Sequence, residues 1–257
     1  MPTDLGRYYP PGYYAFAATA GEGRDSWRAR LLDNRTGELV QRVVALLPDR
    51  GARVLEVGAG SGAFLRRLWS AGCTQLCGVD AFLPAEAADA EPFPLRRGTI
   101  EDCPGGWDLI MYHHVLEHVA DPRSELAAAA ARLRTGGRLL VRVPLADSWA
   151  RRHYGANWVQ WDAPRHLWLP TRLAMSRLAE AAGLALLDSW DDSTGFQVWG
   201  SERYRRGRTL DTSALGGTRA QLLAAVPGLV AAILHARWLN TRRQGDQGAF
   251  LFQAGRG

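Results

Sequence analysis

Val54-Leu55-Glu56-Val57-Gly58-Ala59-Gly60-Ser61-Gly62 is the stretch on which the fold turns. Arg53 to Val57 is a short, β-branched, apolar run of the kind that forms a strand buried on both faces. Glycines follow at alternate positions, and Phe64, Leu65, Leu68 and Trp69 then recur at helical spacing. A strand that passes through a tight turn into a helix needs glycine there, because a ligand must reach the backbone without interference from Cβ.

Working outward, strands and helices alternate. Leu76–Val79 reads as a second strand, Leu109–Tyr112 as another and Arg138–Val143 as the next. Asp121-Pro122 is an N-cap and first-turn pair. Leu126, Ala129, Ala130 and Leu133 follow on one helical face, with Gly136-Gly137 expected to end that helix. Trp27 to Leu47 reads as a helix that stops at Pro48, and a further helix is expected near residues 218–240. Leu184–Trp190 and Gly248–Phe252 are strand candidates near the end. This alternation predicts an α/β fold, a mostly parallel sheet with helices on both faces. With no internal repeat or low-complexity linker, one domain is expected over residues 49–257, with substrate-loop insertions at about 144–170 and 195–243. Residues 1–48 are expected to form an aromatic, Gly/Pro-rich arm and a helix that cover the ligand site.

Composition sets limits. Hydrophobic content of 47% and charged content of 22% are ordinary for a soluble globular chain. The net charge of +5 is mild, there is no Lys, and Arg is scattered (Arg66-Arg67, Arg96-Arg97, Arg151-Arg152, Arg205-Arg206), so a nucleic-acid partner is not expected. Cys73, Cys77 and Cys103 form neither a disulfide framework nor a zinc site and fit a reducing compartment. Met1-Pro2-Thr3-Asp4 is polar, so no signal peptide is expected. The longest apolar run, Leu222 to Leu234, contains Pro227-Gly228 and is too short to span a bilayer. A cytoplasmic protein is expected, a monomer or a homodimer, with Leu222–Leu239 as core or dimer contact.

Glu56 puts an acid at the end of the first strand, where it can meet the cationic methionine portion of S-adenosylmethionine (SAM). Asp80 ends the second strand, 20 residues after Gly60, where a carboxylate can accept both ribose hydroxyls. A nicotinamide site is the rival, since Gly58-x-Gly60-x-x-Ala63 satisfies the looser dinucleotide fingerprint. SAM is favoured by the Glu before the first glycine, the third glycine at 62, and Gly98-Thr99-Ile100-Glu101-Asp102, placed where a loop after a third strand would meet adenine.

Taken together, Val54–Gly62, Gly78–Asp80, Trp107–Val119 with Asp121-Pro122, and Gly136-Gly137 resemble small class I SAM-dependent methyltransferases, nearest to the ubiquinone-type O-methyltransferases. Tyr8–Phe16, Asn157–His166 and Asp192–Tyr204 resemble a bacterial subgroup linked to surface-polysaccharide and sugar modification. The resemblance implies a Rossmann-like, seven-stranded sheet whose last strand is antiparallel, supplied by Gly248–Phe252. It implies that Glu56, Gly58, Ala59, Gly60, Gly62, Asp80, Ala81, Thr99, Ile100, Glu101, Tyr112 and His113 bind SAM. Thr99 stands where the family often has Asp, and Ala59 where Cys is frequent.

Methyl transfer is an in-line attack on a sulfonium, so the enzyme positions a nucleophile and removes its proton. His113 and His114 lie just past the fourth strand, at the edge where open α/β sheets bind ligands, and either can serve as base, with His166 a further candidate. His114-x-x-Glu117-His118 has metal-ligand spacing and aligns with an acidic metal-binding cluster of some ubiquinone-type methyltransferases, but Leu-Glu-His is common across the family as a structural feature, and no metal is expected. The loop from 153 to 166 reads as a substrate wall, in which Trp158, Gln160, Asp162, Arg165 and His166 contact the acceptor, and Arg165 and Arg151 or Arg152 grip a phosphate; Gln197 is expected to complete the pocket. The expected function is methyl transfer from SAM to a hydroxyl, rather than N or C, of a small polar acceptor: a sugar, nucleotide-sugar or glycosylated natural product. A nicotinamide-dependent oxidoreductase and a SAM-binding relative that does not methylate are the alternatives.

Overall fold

The computed structural model describes residues 27–84, 92–208 and 219–254, so the arm expected over residues 1–25 lies outside the described residues. The first helix, α1 (Trp27–Leu46), leads into β1 (Arg53–Val57) and, through the glycine turn, α2 (Ala63–Ser70). Strands β2 (Gln75–Asp80), β3 (Leu95–Arg97) and β4 (Trp107–His113) follow, then α3 (Pro122–Arg132) and β5 (Leu133–Pro144). The second half holds α4 (Trp149–Tyr154), α5 (Arg172–Ala181), β6 (Leu184–Asp191), α6 (Phe196–Arg205), α7 (Arg219–Thr241) and β7 (Gln247–Ala254).

The seven strands form one sheet in the order β3-β2-β1-β4-β5-β7-β6. Strands β1 to β5 are mutually parallel, while β7 runs antiparallel to both β5 and β6. This is the Rossmann-like class I sheet, with Gly248–Phe252 inside the antiparallel strand as expected.

Alternation along β4 shows why the sheet is covered on both sides. Leu109 and Met111 pack with Leu39, Val40 and Val43 of α1 and Leu65 and Leu68 of α2. Ile110 and Tyr112 point the other way, onto Leu126 and Ala129 of α3 and Met175 and Ala179 of α5. A period-two strand with both faces apolar must be sandwiched. Each aliphatic side chain fully buried this way contributes about 1.5–3 kcal/mol. Asp121 caps α3 by accepting the Ser124 N–H at 3.1 Å.

One expectation is corrected. Helix α3 ends at Arg132, and Gly136 and Gly137 lie inside β5. Leu133 is already extended and pairs with Trp107. Gly137 is needed for close approach between strands, since a Cβ there would lie 2.7 Å from the Trp107 carbonyl. The helix expected near residues 218–240 is α7, which continues through Pro227-Gly228 without a break. No helix among the described residues is long and apolar enough to cross a membrane.

The glycine turn is held mainly by the chain's own packing. Gly58 has a φ of 70°, and a Cβ there would sit 2.2 Å from Val115 Cγ2. Gly58→Ala is therefore expected to cost about 3 kcal/mol, combining the left-handed backbone with overpacking. Adding Val115→Ala should recover the packing share. Urea denaturation of the single and double variants measures both; a single variant as stable as the parent would contradict this packing.

Candidate active site

Strands β1 and β4 end in step, with Glu56 opposite Met111 and Val57 opposite Tyr112. Glu56 and His113 consequently emerge on the same sheet face, and His113 Nδ1 lies 3.1 Å from Glu56 Oε1. The edge of Phe64 from α2 packs on the imidazole with ring centroids 4.6 Å apart. Glu56 Oε2 and His113 Nε2 are buried and have no hydrogen-bond partner among the described residues. Burial pushes the Glu56 carboxyl up to about 8, with Asp80 adding to the rise and Arg142 opposing it. Burial, helped by Arg142, holds the His113 imidazole well below its usual range. Arg142 itself is paired with Asp192 at 2.6 Å. The pair is thus a buried, uncharged acid with an open oxygen, ready to ionise when a cation arrives.

Asp80 fixes the turn beside it. Its Oδ2 accepts the Gly60 N–H at 2.9 Å and its Oδ1 the Phe82 N–H at 2.8 Å. The Gly58 and Ala59 N–H groups both donate to the Val79 carbonyl. Each Asp80 oxygen keeps a lone pair for a further donor. Ala81, next along, is exposed. Gly62, with φ 72°, packs against Leu95 and Phe93, so it too is demanded by protein contacts.

The remaining expected cofactor residues fall less evenly. Thr99 N–H and Oγ1 bond Asp102 Oδ2 at 2.8 and 3.1 Å, so its hydroxyl is engaged in a capping box. Ile100 is fully buried in the core, which leaves only its backbone available, and Glu101 is exposed. Tyr112 turns its side chain to the α3 face, where its hydroxyl donates to Glu125 at 2.9 Å.

One residue further on, His114 adopts a left-handed φ of 58° and donates its N–H to the Arg142 carbonyl. A β-carbon-bearing residue in that region costs about 1–2 kcal/mol, strain that concentrates at functional sites. Its Nδ1 faces Glu117 Oε1 at 3.3 Å. Glu117 is fully buried, and neither oxygen has a well-formed hydrogen bond among the described residues. Burial alone would raise this carboxyl; the imidazoles of His114, His118 and His166 outweigh it and hold it below its ordinary value.

Glu117, His118 and His166 bring three ligating atoms within 4.8 Å of one another, a donor set that can hold a divalent metal. His118 Nδ1 lies 2.9 Å from the Arg165 carbonyl, and His166 Nδ1 lies 2.7 Å from that of Gln160. His166 is nearly buried, its Nε2 4.0 Å from Glu117 Oε1 and 3.7 Å from Asp162 Oδ2, and burial lowers its affinity for a proton.

The expected acceptor wall divides. Trp158 is fully buried among Ala150 and Tyr154, and its Nε1 donates to Asp246 Oδ2 at 3.0 Å. Gln160 and Gln197 are also buried. Trp161 is the exposed aromatic of the loop, with Arg151 5.0 Å above its ring. Arg165 is tied to Asp162 at 2.5 Å, and Arg152 to the Asp147 carbonyl at 2.7 Å. An open groove of about 620 Å³, lined by residues including Arg42, Trp190 and Arg237, shares none of these site residues. Sequence spacing gave no signal for Asp246, which is fully buried and pushed up to about 6 by burial against its Trp158 and Ser193 hydrogen bonds. Nor did it mark Arg142 and Asp192, whose approach depends on the β5–β7 register.

A family model described as a methyltransferase domain matches residues 26–189, more than half of the chain. The chain belongs to this methyltransferase family. Its cofactor is SAM, which the open Glu56 oxygen and the Asp80 carboxylate fit, and the nicotinamide alternative falls. A ubiquinone biosynthesis O-methyltransferase of Cereibacter sphaeroides is 32% identical over 140 residues, covering 49% of this chain and 53% of the relative. A tRNA U34 carboxymethyltransferase of Azotobacter vinelandii is 32% identical over 123 residues, 42% of this chain and 37% of the relative. The chain thus spans about half the length of the curated relatives it matches. Among solved structures, the [4+2]-cyclase SpnF superposes with a TM-score of 0.59 at 19% identity, covering 93% of this chain and 86% of that one. That likeness is one of fold.

The Glu56 carboxyl gives a pH test with a definite sign. Raised from 4.5 to about 8, it keeps a proton in the folded chain that the unfolded chain has released. Its contribution to stability is complete below the unfolded value and lost as pH rises through the folded one. Glu56→Gln is expected to remove that slope from urea midpoints measured between about pH 6 and about pH 9. Calorimetry of SAM binding at neutral pH, in buffers of different ionisation heat, should show proton release by the parent and none by the variant. Identical proton release in both would contradict the assignment.

Proposed function

We propose that this chain transfers the methyl group of SAM to a hydroxyl of a small polar acceptor, the leading class being a sugar, nucleotide-sugar or glycosylated natural product. SAM, when bound, supplies an electrophilic methyl on a sulfonium. The observation that carries the reading is the His114–Glu117 pair. His114 is half-exposed at the carboxyl edge of β4, and a buried carboxylate lies 3.3 Å from its Nδ1. A carboxylate that accepts Nδ1–H leaves Nε2 as the basic nitrogen. His114 Nε2 would take the proton of the acceptor hydroxyl as that oxygen attacks the methyl carbon, and bound SAM would supply the methyl and keep the electron pair on its sulfur.

His113 fits this role less well, since it is buried against Glu56. His166 is nearly buried with one nitrogen tied to a carbonyl, and supports Glu117 in the proposed scheme. Glu56 meets the methionine ammonium, and Asp80 takes the ribose hydroxyls. The segments over 144–170 and 195–243 supply the acceptor side in this reading, and residues 1–48 its cover.

His114→Gln is expected to lower kcat by about 10²–10⁴, the usual contribution of a positioned base, with unchanged affinity for S-adenosylhomocysteine. Transfer of radiolabelled methyl across a panel of sugars, nucleotide-sugars and glycosides measures it. A variant within threefold of the parent would remove His114 from the mechanism. Absence of methylated product from every acceptor, despite tight SAM binding, would favour a relative that does not methylate.

A further inference from the structure

At the edge where β4 and β5 end and β7 begins, the chain buries polar atoms that it does not itself satisfy. Asp246, immediately before β7, is fully buried; its Oδ2 takes the Trp158 Nε1–H at 3.0 Å, while Oδ1 has no partner among the described residues. His114 is close enough to act on its charge. Ser193, Gln197 and Ser201 fall four residues apart and are all buried. Ser193 hydrogen-bonds Asp246, and Ser201 Oγ accepts the Val159 N–H at 3.0 Å. Gln197 and Ser201 share one face of α6, which is therefore turned toward Val159 and its neighbour Trp158, while Ser193, three residues before α6, reaches Asp246. Both ends of the Gln197 amide are buried without a partner among the described residues.

Buried polar groups are normally paired, and leaving them unpaired is costly, so their retention points to a ligand. The inventory says which kind. Open acceptors are Asp246 Oδ1, Gln197 Oε1 and Glu117 Oε2; the open donor is Gln197 Nε2. Three guanidiniums of the 144–172 stretch that could welcome an anion are already engaged. Arg165 is held by Asp162 at 2.5 Å and Arg152 by the Asp147 carbonyl at 2.7 Å. Arg172 bridges Asp147 and Asp191 at 2.9 and 2.6 Å.

Resting on the methyl-transfer reading above, we infer that Asp246 and Gln197 form the acceptor subsite beyond His114, and that it takes a moiety bearing hydroxyl or ammonium donors and excludes a phosphate beside the reacting oxygen. Phosphate offers acceptors and negative charge to a cluster that already has more open acceptors than donors. The expectation that Arg165 and Arg151 or Arg152 grip a phosphate gives way to this one.

The test uses the full chain saturated with S-adenosylhomocysteine and three probes: glucose, glucosamine and glucose 6-phosphate, titrated by ligand-observed NMR up to tens of millimolar. Glucose and glucosamine are expected to bind, and glucose 6-phosphate at least tenfold more weakly. Asp246→Asn should weaken glucosamine by about tenfold, which is about 1.4 kcal/mol, and glucose by less. Gln197→Leu should weaken both sugars. Phosphate binding equal to or tighter than glucose overturns the inference, as does binding of none of the probes, or sugar binding unaltered in both variants. The parent's probe ranking stands even where a variant fails to fold. Cofactor affinity separates the two levels: a chain that binds S-adenosylhomocysteine but ranks the probes otherwise loses the subsite alone, and one that binds no cofactor loses the methyl-transfer reading.

Discussion

The in-step ending of β1 and β4 is the constraint on which the site depends. With Val57 opposite Tyr112, the chain leaves both strands at one height. One exit becomes the glycine turn and the other the His113–His114 step. Gly58 and Val115 then interlock across the gap between the two exits. A slip of one residue would turn Glu56 and His113 to opposite faces and separate the buried pair. The packed core on both faces of the sheet, with α1 and α2 on one side and α3 and α5 on the other, prevents that slip.

The site shows polar groups placed where burial makes them reactive. Glu56 is held uncharged beside a neutral imidazole, and Glu117 is held charged among three. The two acids sit on opposite sides of His113 and His114 in sequence, yet their surroundings push them apart in protonation. One is suited to receive a cation and the other to orient a base. The strain at His114, with its left-handed φ, is tolerated because the Arg142 carbonyl takes its N–H.

Much of this architecture was legible in the residues. β1 begins and ends where the apolar run does, and the Asp121 cap forms as its spacing implies. Short-range patterns of this kind are local and survive folding unchanged. The first strand-to-turn-to-helix unit was readable, but the reason for its glycines was not. Gly58 and Gly62 answer to Val115, Leu95 and Phe93, partners distant in sequence. Gly136-Gly137 misled because glycine serves equally to stop a helix and to let two strands approach. His166 and Asp246 lie far from Glu117 and Trp158 in the chain, so no spacing rule joins them. Trp158 looked like a surface for a ligand by its chemistry, and burial among Ala150 and Tyr154 makes it a brace for Asp246 instead.

In the proposed reading a cationic nucleoside cofactor lies across the ends of β1 and β2, with its ammonium on Glu56 and its ribose on Asp80. A crystal structure of the chain with S-adenosylhomocysteine tests it most directly. The amino group is expected within hydrogen-bond distance of Glu56 Oε2, with both ribose hydroxyls on the Asp80 carboxylate. A nucleoside bound with neither acid in contact would contradict it.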